Sequence, residues 1–200
     1  GDGGSEDDAL PHRVRHARII PVLGARSLPP YRRYGPVLTI WRLEKERYVD
    51  TAFRGNGSLK TSGRWHHKGT QVAYASEHPG VAVLEKLVWL ERYEVARESD
   101  YVLLPLQIDP DNHLEPLDES DLPGDWDAFP HPEATRHLGT RWFEAERSAV
   151  LAVPSAVLPV AKNYLINPFH PDFHELERGK PAPFSWDARL FQRAQRERDE

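Results

Sequence analysis

Residues 81–93 (VAVLEKLVWLERY) carry the clearest helical period in the chain, and it is the only strong one. Counting about 100° per residue from Val81, the side chains of Leu84, Val88 and Trp89 fall within about 80° of it and form one apolar face. Ser76 or Glu77 stands near the predicted N-terminus, and Pro79 suits the first turn, where a missing N–H costs nothing. Glu85 falls at about 40°, inside the same apolar face. A carboxylate in such a setting needs a partner or a chemical task, because an unpaired charge among apolar groups is costly.

The other apolar runs are short and of strand type. Residues 37–43 (VLTIWRL) are β-branched and aromatic. On a period of two, Leu38, Ile40 and Arg42 share one face, so Arg42 ends an otherwise apolar row. Residues 51–61 have turn chemistry at Gly55, Asn56 and Gly57. Residues 63–76 (GRWHHKGTQVAYAS) read as a loop feeding a strand over 71–75. Residues 101–108 (YVLLPLQI) form another strand, with Pro105 marking an edge or a bulge. Residues 149–160 are one or two buried strands broken at Pro154, and 163–170 and 184–191 complete the body. Eighteen prolines in 200 residues keep the elements short. One strong helix among several strands predicts an α+β domain built on a mixed or antiparallel sheet.

This domain spans residues 37–191, with no repeat and no second domain. An extension over residues 1–36 precedes it, opening on an acidic, glycine-rich stretch expected to be disordered and followed by a basic patch at Arg13, Arg15, His16 and Arg18. A charged tail over 192–200 follows. Residues 109–135 hold nine Asp or Glu, five Pro and neither Lys nor Arg, and read as a solvated surface excursion with one helical turn.

Several function classes fall away. The absence of cysteine excludes a disulfide scaffold, a cysteine-ligated zinc and a cysteine nucleophile, and is compatible with a reducing cytoplasm. With 26 basic against 31 acidic residues the formal charge is −5, which disfavours a general nucleic-acid binder. A small anion held by two or three placed arginines is not disfavoured. No apolar run approaches the roughly 20 residues of a membrane span, and no secretory leader opens the chain. His170 and His174 sit four apart, but Pro171 interrupts a helix that would join them, so no metal site is expected. Ser148 and Ser155 lie outside any nucleophile elbow. There is no Rossmann or P-loop glycine cradle.

The constellation that carries chemistry is Arg64, Tyr74 and Glu85, supported by Arg42. Arg64 lies in a glycine-flanked loop beside Trp65, where a guanidinium can meet a phosphate bidentately. Tyr74 offers an aromatic face and a hydroxyl on a strand. Read from residue types alone, a buried structural ion pair of Arg64 with Glu85, with Tyr74 in the core, is slightly favoured over a ligand site.

From Ile40 onward the chain resembles the RES domain family. The likeness runs through Trp41–Arg42, FRGNGS at 53–58, GRWHHKGTQVAYAS at 63–76 and VAVLEKLVWL at 81–90. It continues with SAVLAVPS at 148–155, NYLINPFHPDF at 163–173 and WDARL at 186–190. Ser62, His66 and Trp89 depart from the family pattern, where Gly, Asn and His are common.

The resemblance implies a fold related to ADP-ribosyltransferases. It also implies a cytoplasmic bacterial toxin that consumes NAD+ and is paired with a helix-turn-helix antitoxin of the Xre type blocking its active site. NAD+ would then be a substrate, not a cofactor, with inorganic phosphate as a possible co-substrate. On this resemblance Glu85 would stabilise the cationic ribose, and Arg42 and Arg64 would hold the pyrophosphate. Tyr74 would stack on the nicotinamide or its ribose, and a serine, Ser155 or Ser148, would orient that ribose. Phosphorolysis or hydrolysis of NAD+ is the preferred outcome. ADP-ribosylation of a protein and a non-catalytic nucleotide-binding module are the alternatives.

Overall fold

The computed structural model describes residues 37–90 and 93–191. The extension over 1–36 and the tail over 192–200 lie outside the described residues. The short β-branched runs assemble into one mixed sheet. Its strands are β1 (Leu38–Lys45), β2 (Ala73–Ser76), β3 (Tyr101–Ile108), β4 (Leu114–Pro116), β5 (Val150–Pro154), β6 (Lys162–Ile166), β7 (Glu177–Arg178) and β8 (Ala182–Phe184). Their order is β4-β5-β6-β2-β1-β3-β7, with β8 also beside β3. Only the β4–β5 pairing is parallel among the described residues. The predicted α+β class with a mixed sheet is the one observed.

Pro105 has a clear place in this sheet. On one side β3 pairs with β1; on the other, β7 meets Leu106 and Gln107, while β8 meets Tyr101, Val102 and Leu103. The proline, which has no N–H to give, sits in the gap between the two short edge strands, and its carbonyl accepts from Gly179 N at 2.9 Å.

Alternation along the strands divides the core. Val150, Ala152, Tyr164 and Ile166 pack with Ile40, Leu104 and Leu106. Leu151, Val153 and Leu165 point the other way, into a cluster with Trp65 and Trp142. A third cluster joins Leu43, Ala82, Ala96, Tyr101, Trp186 and Phe191.

Among the described residues four α-helices flank the sheet: α1 (Pro79–Leu87), α2 (Tyr93–Arg97), α3 (Pro110–His113) and α4 (Glu133–Glu144). In α1, Pro79 occupies the first turn as predicted, but the cap is His78, whose ring nitrogen accepts from Gly80 N at 3.0 Å. The helix ends at Leu87, not at 93. Its predicted apolar face is also only partly covered. Val81 and Ala82 are buried, whereas Leu84, Val88 and Trp89 are 38%, 59% and 66% exposed. Periodicity groups residues on a face; it does not say whether another element lies over that face.

Two further differences matter for the site. Residues 109–135 are more than a solvated excursion. His113 is buried against Glu175, β4 adds a parallel edge, and Trp126 stacks on Trp65 with ring centroids 6.1 Å apart. Helix α4 has no counterpart among the predicted elements, although Thr135, Gly139 and Trp142, spaced four and three apart, make its buried stripe. Gly139 is there because a Cβ at that position would run into the Trp65 carbonyl. No helix of the described residues is long and apolar enough to cross a membrane.

Candidate active site

Strands β1 and β2 share a single register pair, Trp41 with Ser76, and then part. A cavity of about 1070 Å³ opens at this divergence, bounded by Leu43 and Ala82 of one apolar cluster and by Trp65 and Val72 of another. It is at the upper end of the roughly 300–1,000 Å³ typical of small-molecule sites. Arg42, Arg64, Tyr74 and Glu85, all singled out in the sequence, line it together.

Glu85 projects from α1 and is held from the sheet. Its Oε1 accepts from Ser155 Oγ at 2.6 Å and from Asn163 Nδ2 at 2.5 Å. Asn163 on β6 lies opposite Ser76 on β2, and its Oδ1 accepts from Ser76 Oγ at 2.7 Å. Ser155, just after β5, is itself fixed: its Oγ accepts from Leu158 N at 3.0 Å, and its own N–H donates to Ala161 O at 3.0 Å. Both clamping bonds use Oε1, so Oε2 has no protein partner among the described residues. A carboxylate oriented on one oxygen and free on the other is prepared to act on something in the cavity.

The two candidate serines are separated. Ser155 is fully buried and reaches Glu85 without lining the cavity itself. Ser148 accepts from the Trp142 indole at 2.9 Å and donates to Val150 O at 2.9 Å, and it does not line the cavity. A role for Ser148 in touching a ligand therefore has no geometric basis. Its place is in the core beside α4.

Arg64 and Glu85 do not form the ion pair that residue types alone allowed. Nη1 of Arg64 instead donates to the carbonyls of Trp126 at 2.6 Å and Ala128 at 2.9 Å. Burial pulls the guanidinium below the usual arginine range, while the nearby Asp127 and Glu85 favour its charge, and it stays cationic. Arg42 reaches into the split: Nη1 donates to Tyr74 O at 2.7 Å and Nη2 to Glu44 at 2.6 Å. Its Nε is buried without a partner. Glu44 sits below the usual carboxylate range, because the Arg42 guanidinium and other donors outweigh its burial.

The Tyr74 hydroxyl lies 2.6 Å from His66 Nδ1. Burial raises the phenol above its ordinary value and lowers the imidazole below its own. The phenol thus keeps its proton and donates to a neutral ring, leaving Nε2–H to donate to Thr61 O at 3.1 Å. Gly63 permits this contact: a Cβ there would lie 2.5 Å from His66 Cε1 and 3.1 Å from the Tyr74 hydroxyl.

Sequence reasoning missed two parts of the site. Asn163, the second clamp on Glu85, lies in a run read only as completing the body and as part of the family likeness. The wall formed by Asp127, Phe129 and His131 comes from the acidic excursion. There the His131 ring meets Phe129 and Trp89 edge-on, with centroids 5.4 and 6.2 Å away, and its Nδ1 is buried without a partner. His170 and His174 stay apart from the cavity and bond backbone groups, Glu146 O and Pro171 O respectively.

Comparison with known proteins gives the family. A family model described as the RES domain matches residues 39–187. A Toxin Res of Photorhabdus laumondii is 36% identical over 76% of this chain and 97% of its own length. A Toxin Res of Pseudomonas putida is 37% identical over 77% of this chain and 100% of its own. A Prs ADP-ribosylating toxin of Sphingobium is 31% identical over 78% of this chain and 98% of its own. The M. tuberculosis MbcT–MbcA toxin–antitoxin complex contains a chain with the same fold: TM-score 0.59 and 14% identity, covering 81% of this chain and 91% of that one. Matched over most of its length by the family model, and spanning toxins nearly end to end, this chain belongs to the RES domain family.

Proposed function

We propose that this chain is a toxin enzyme that breaks the nicotinamide–ribose bond of NAD+. The observation that carries this reading is Glu85, fixed through Oε1 by Ser155 and Asn163 with Oε2 unclaimed in a dinucleotide-sized cavity that also holds two arginines. As the glycosidic bond lengthens, its electron pair leaves with nicotinamide, and positive charge develops on the ribose. A fixed carboxylate stabilises that charge more than the ground state, and partial exclusion of water strengthens the attraction. Arg64 and Arg42 would hold the pyrophosphate, with Arg42 exchanging Glu44 for the ligand. Ser155 positions Glu85, and the Tyr74 ring offers a surface to the nicotinamide side.

Water adding to the cation gives ADP-ribose and a proton; phosphate gives a phosphorylated ADP-ribose. Both degrade free NAD+, and this is the favoured outcome. The likeness to an ADP-ribosylating toxin supports a second reading, in which a protein side chain is the acceptor. The mouth of the cavity carries Val88, Trp89 and Phe129, all well exposed, and a helix-turn-helix antitoxin covering that mouth would block access.

The test is product analysis of purified chain with NAD+, with and without phosphate. Nicotinamide release is expected, falling about 10²–10³-fold in Glu85→Gln, as when a fixed electrostatic stabiliser is removed. Release unaffected by that change would overturn the assignment of Glu85. Label passing from NAD+ to a second protein, without free ADP-ribose, would establish the second reading.

A further inference from the structure

Outside the cavity, three metal-ligating side chains converge on the far end of the site loop. His67 follows Trp65 and His66 in that loop but, unlike them, does not line the cavity. Glu133 and His137 lie four apart on the first turns of α4, on one helix face. His67 Nε2 is 3.3 Å from His137 Nδ1 and 3.6 Å from Glu133 Oε1, and His137 Nε2 is 3.7 Å from the same oxygen. One donor atom from each residue lies within 4.8 Å of the others. Ligands at about 2.0–2.1 Å around a tetrahedral zinc stand about 3.4 Å apart. His67 Nε2 is near that spacing from both His137 Nδ1 and Glu133 Oε1, and the set of one donor per residue, within 4.8 Å, needs only a small turn of the exposed His137 and Glu133 side chains to close on an ion.

The surroundings hold the donors in place. The His67 N–H donates to Thr140 Oγ1 at 3.1 Å, and Arg136 Nε donates to Gly63 O at 3.3 Å, so loop and helix are already in register. Arg136 also takes Glu133 Oε2 at 2.8 Å, which orients the carboxylate and leaves Oε1 towards the two imidazoles. Gly139, one turn further along α4, gives the close approach of helix to loop on which the cluster depends.

We propose that His67, Glu133 and His137 bind a divalent transition-metal ion of the Zn²⁺ type, with water completing the coordination. Two imidazoles and one carboxylate suit such an ion and do not suit Mg²⁺ or Ca²⁺, which take oxygen ligands. The ion joins the loop carrying Arg64 to α4 and so acts as a staple behind the site, not as a participant in its chemistry. It is independent of the reaction assigned to Glu85.

The experiment uses the full, untagged chain stripped with a chelator, and titrates it with Zn²⁺ and with Co²⁺ as the coloured probe. One ion per chain is expected, with the visible absorption of four-coordinate Co²⁺ and a higher Tm with Zn²⁺, since an ion that binds only the folded state stabilises it. His137→Ala and Glu133→Gln, both changing exposed side chains, should retain the metal-free Tm. Each should weaken binding by more than the roughly 10–100-fold that loss of an outer-shell partner costs. His174→Ala should leave binding unchanged. The proposal is overturned if no ion binds, or if binding persists in His67→Ala/His137→Ala with the metal-free Tm intact.

Discussion

The two walls of the cavity are built differently. On one, the carboxylate of Glu85 is held by side chains that the sheet positions: Asn163 on β6, itself tied to Ser76 on β2, and Ser155 just after β5. On the other, the cation of Arg64 comes from a loop and is held by main-chain carbonyls of a second loop, at Trp126 and Ala128. Side-chain clamps can be removed by substitution, whereas carbonyl partners cannot. The first wall is therefore sensitive to changes among its supports, and the second chiefly to changes in the arginine itself.

The largest effect should come from the first wall. Asn163→Ala removes one clamp from Glu85 and strands the Ser76 hydroxyl. Turnover of NAD+ should fall about 10²-fold, the scale of a misplaced catalytic group, with substrate KM little changed. A change confined to KM would mean that Asn163 contacts substrate and does not position Glu85. On the second wall, Arg64→Lys keeps the charge and loses the fork. Roughly a tenfold loss is expected, equivalent to about 1.4 kcal/mol and read mainly in KM. Unaltered kinetics would remove Arg64 from the phosphate role.

The serines sharpen the contrast. Ser155→Ala should lower turnover while leaving a folded protein. Ser148→Ala leaves the buried Trp142 N–H without its partner and should cost about 1–3 kcal/mol of stability, with activity per folded molecule preserved. Denaturant melts beside kinetics separate the two, and full stability with lost turnover in Ser148→Ala would reverse their roles. The smallest effect is a pH dependence. His66 is neutral in the fold with its pKa below the ordinary 6.5, so the unfolded chain binds a proton more readily. Stability is complete above about 6.5 and declines as pH falls toward the lowered folded value. His131, lowered by burial and by Arg64, contributes with the same sign. His66→Asn should flatten part of that slope in pH-dependent melts; an identical slope would show that the ring is not held neutral by the fold.

How much was legible follows the same division. Glu85 stood out because a charge on an apolar helical face is anomalous at the level of spacing, and Arg42 because it closes an apolar row on a strand. Their supports were less visible. Asn163 sits where a strand begins, and nothing in spacing reveals that β5 and β6 bring Ser155 and Asn163 to one carboxylate, with Ser76 of β2 bonded to Asn163 behind them. The Trp126–His131 wall was invisible for another reason. An irregular segment has no period, and its contribution is made through carbonyls that every residue possesses. Helix α4 left a usable trace in the Thr135, Gly139 and Trp142 spacing. The family likeness placed Arg64, Tyr74 and Glu85 in one site, and the structure brings those three together.

Gly139 has a consequence for genetics. In a selection for cells that survive expression of this toxin, substitutions there should be recovered alongside those at Glu85, since any side chain drives α4 away from the loop that presents the guanidinium. Survivors alone would give the two positions equal standing, although one lines the cavity and the other only meets a neighbouring carbonyl. Immunoblots of protein abundance would tell them apart: the glutamate variants accumulate, and the glycine variants are cleared.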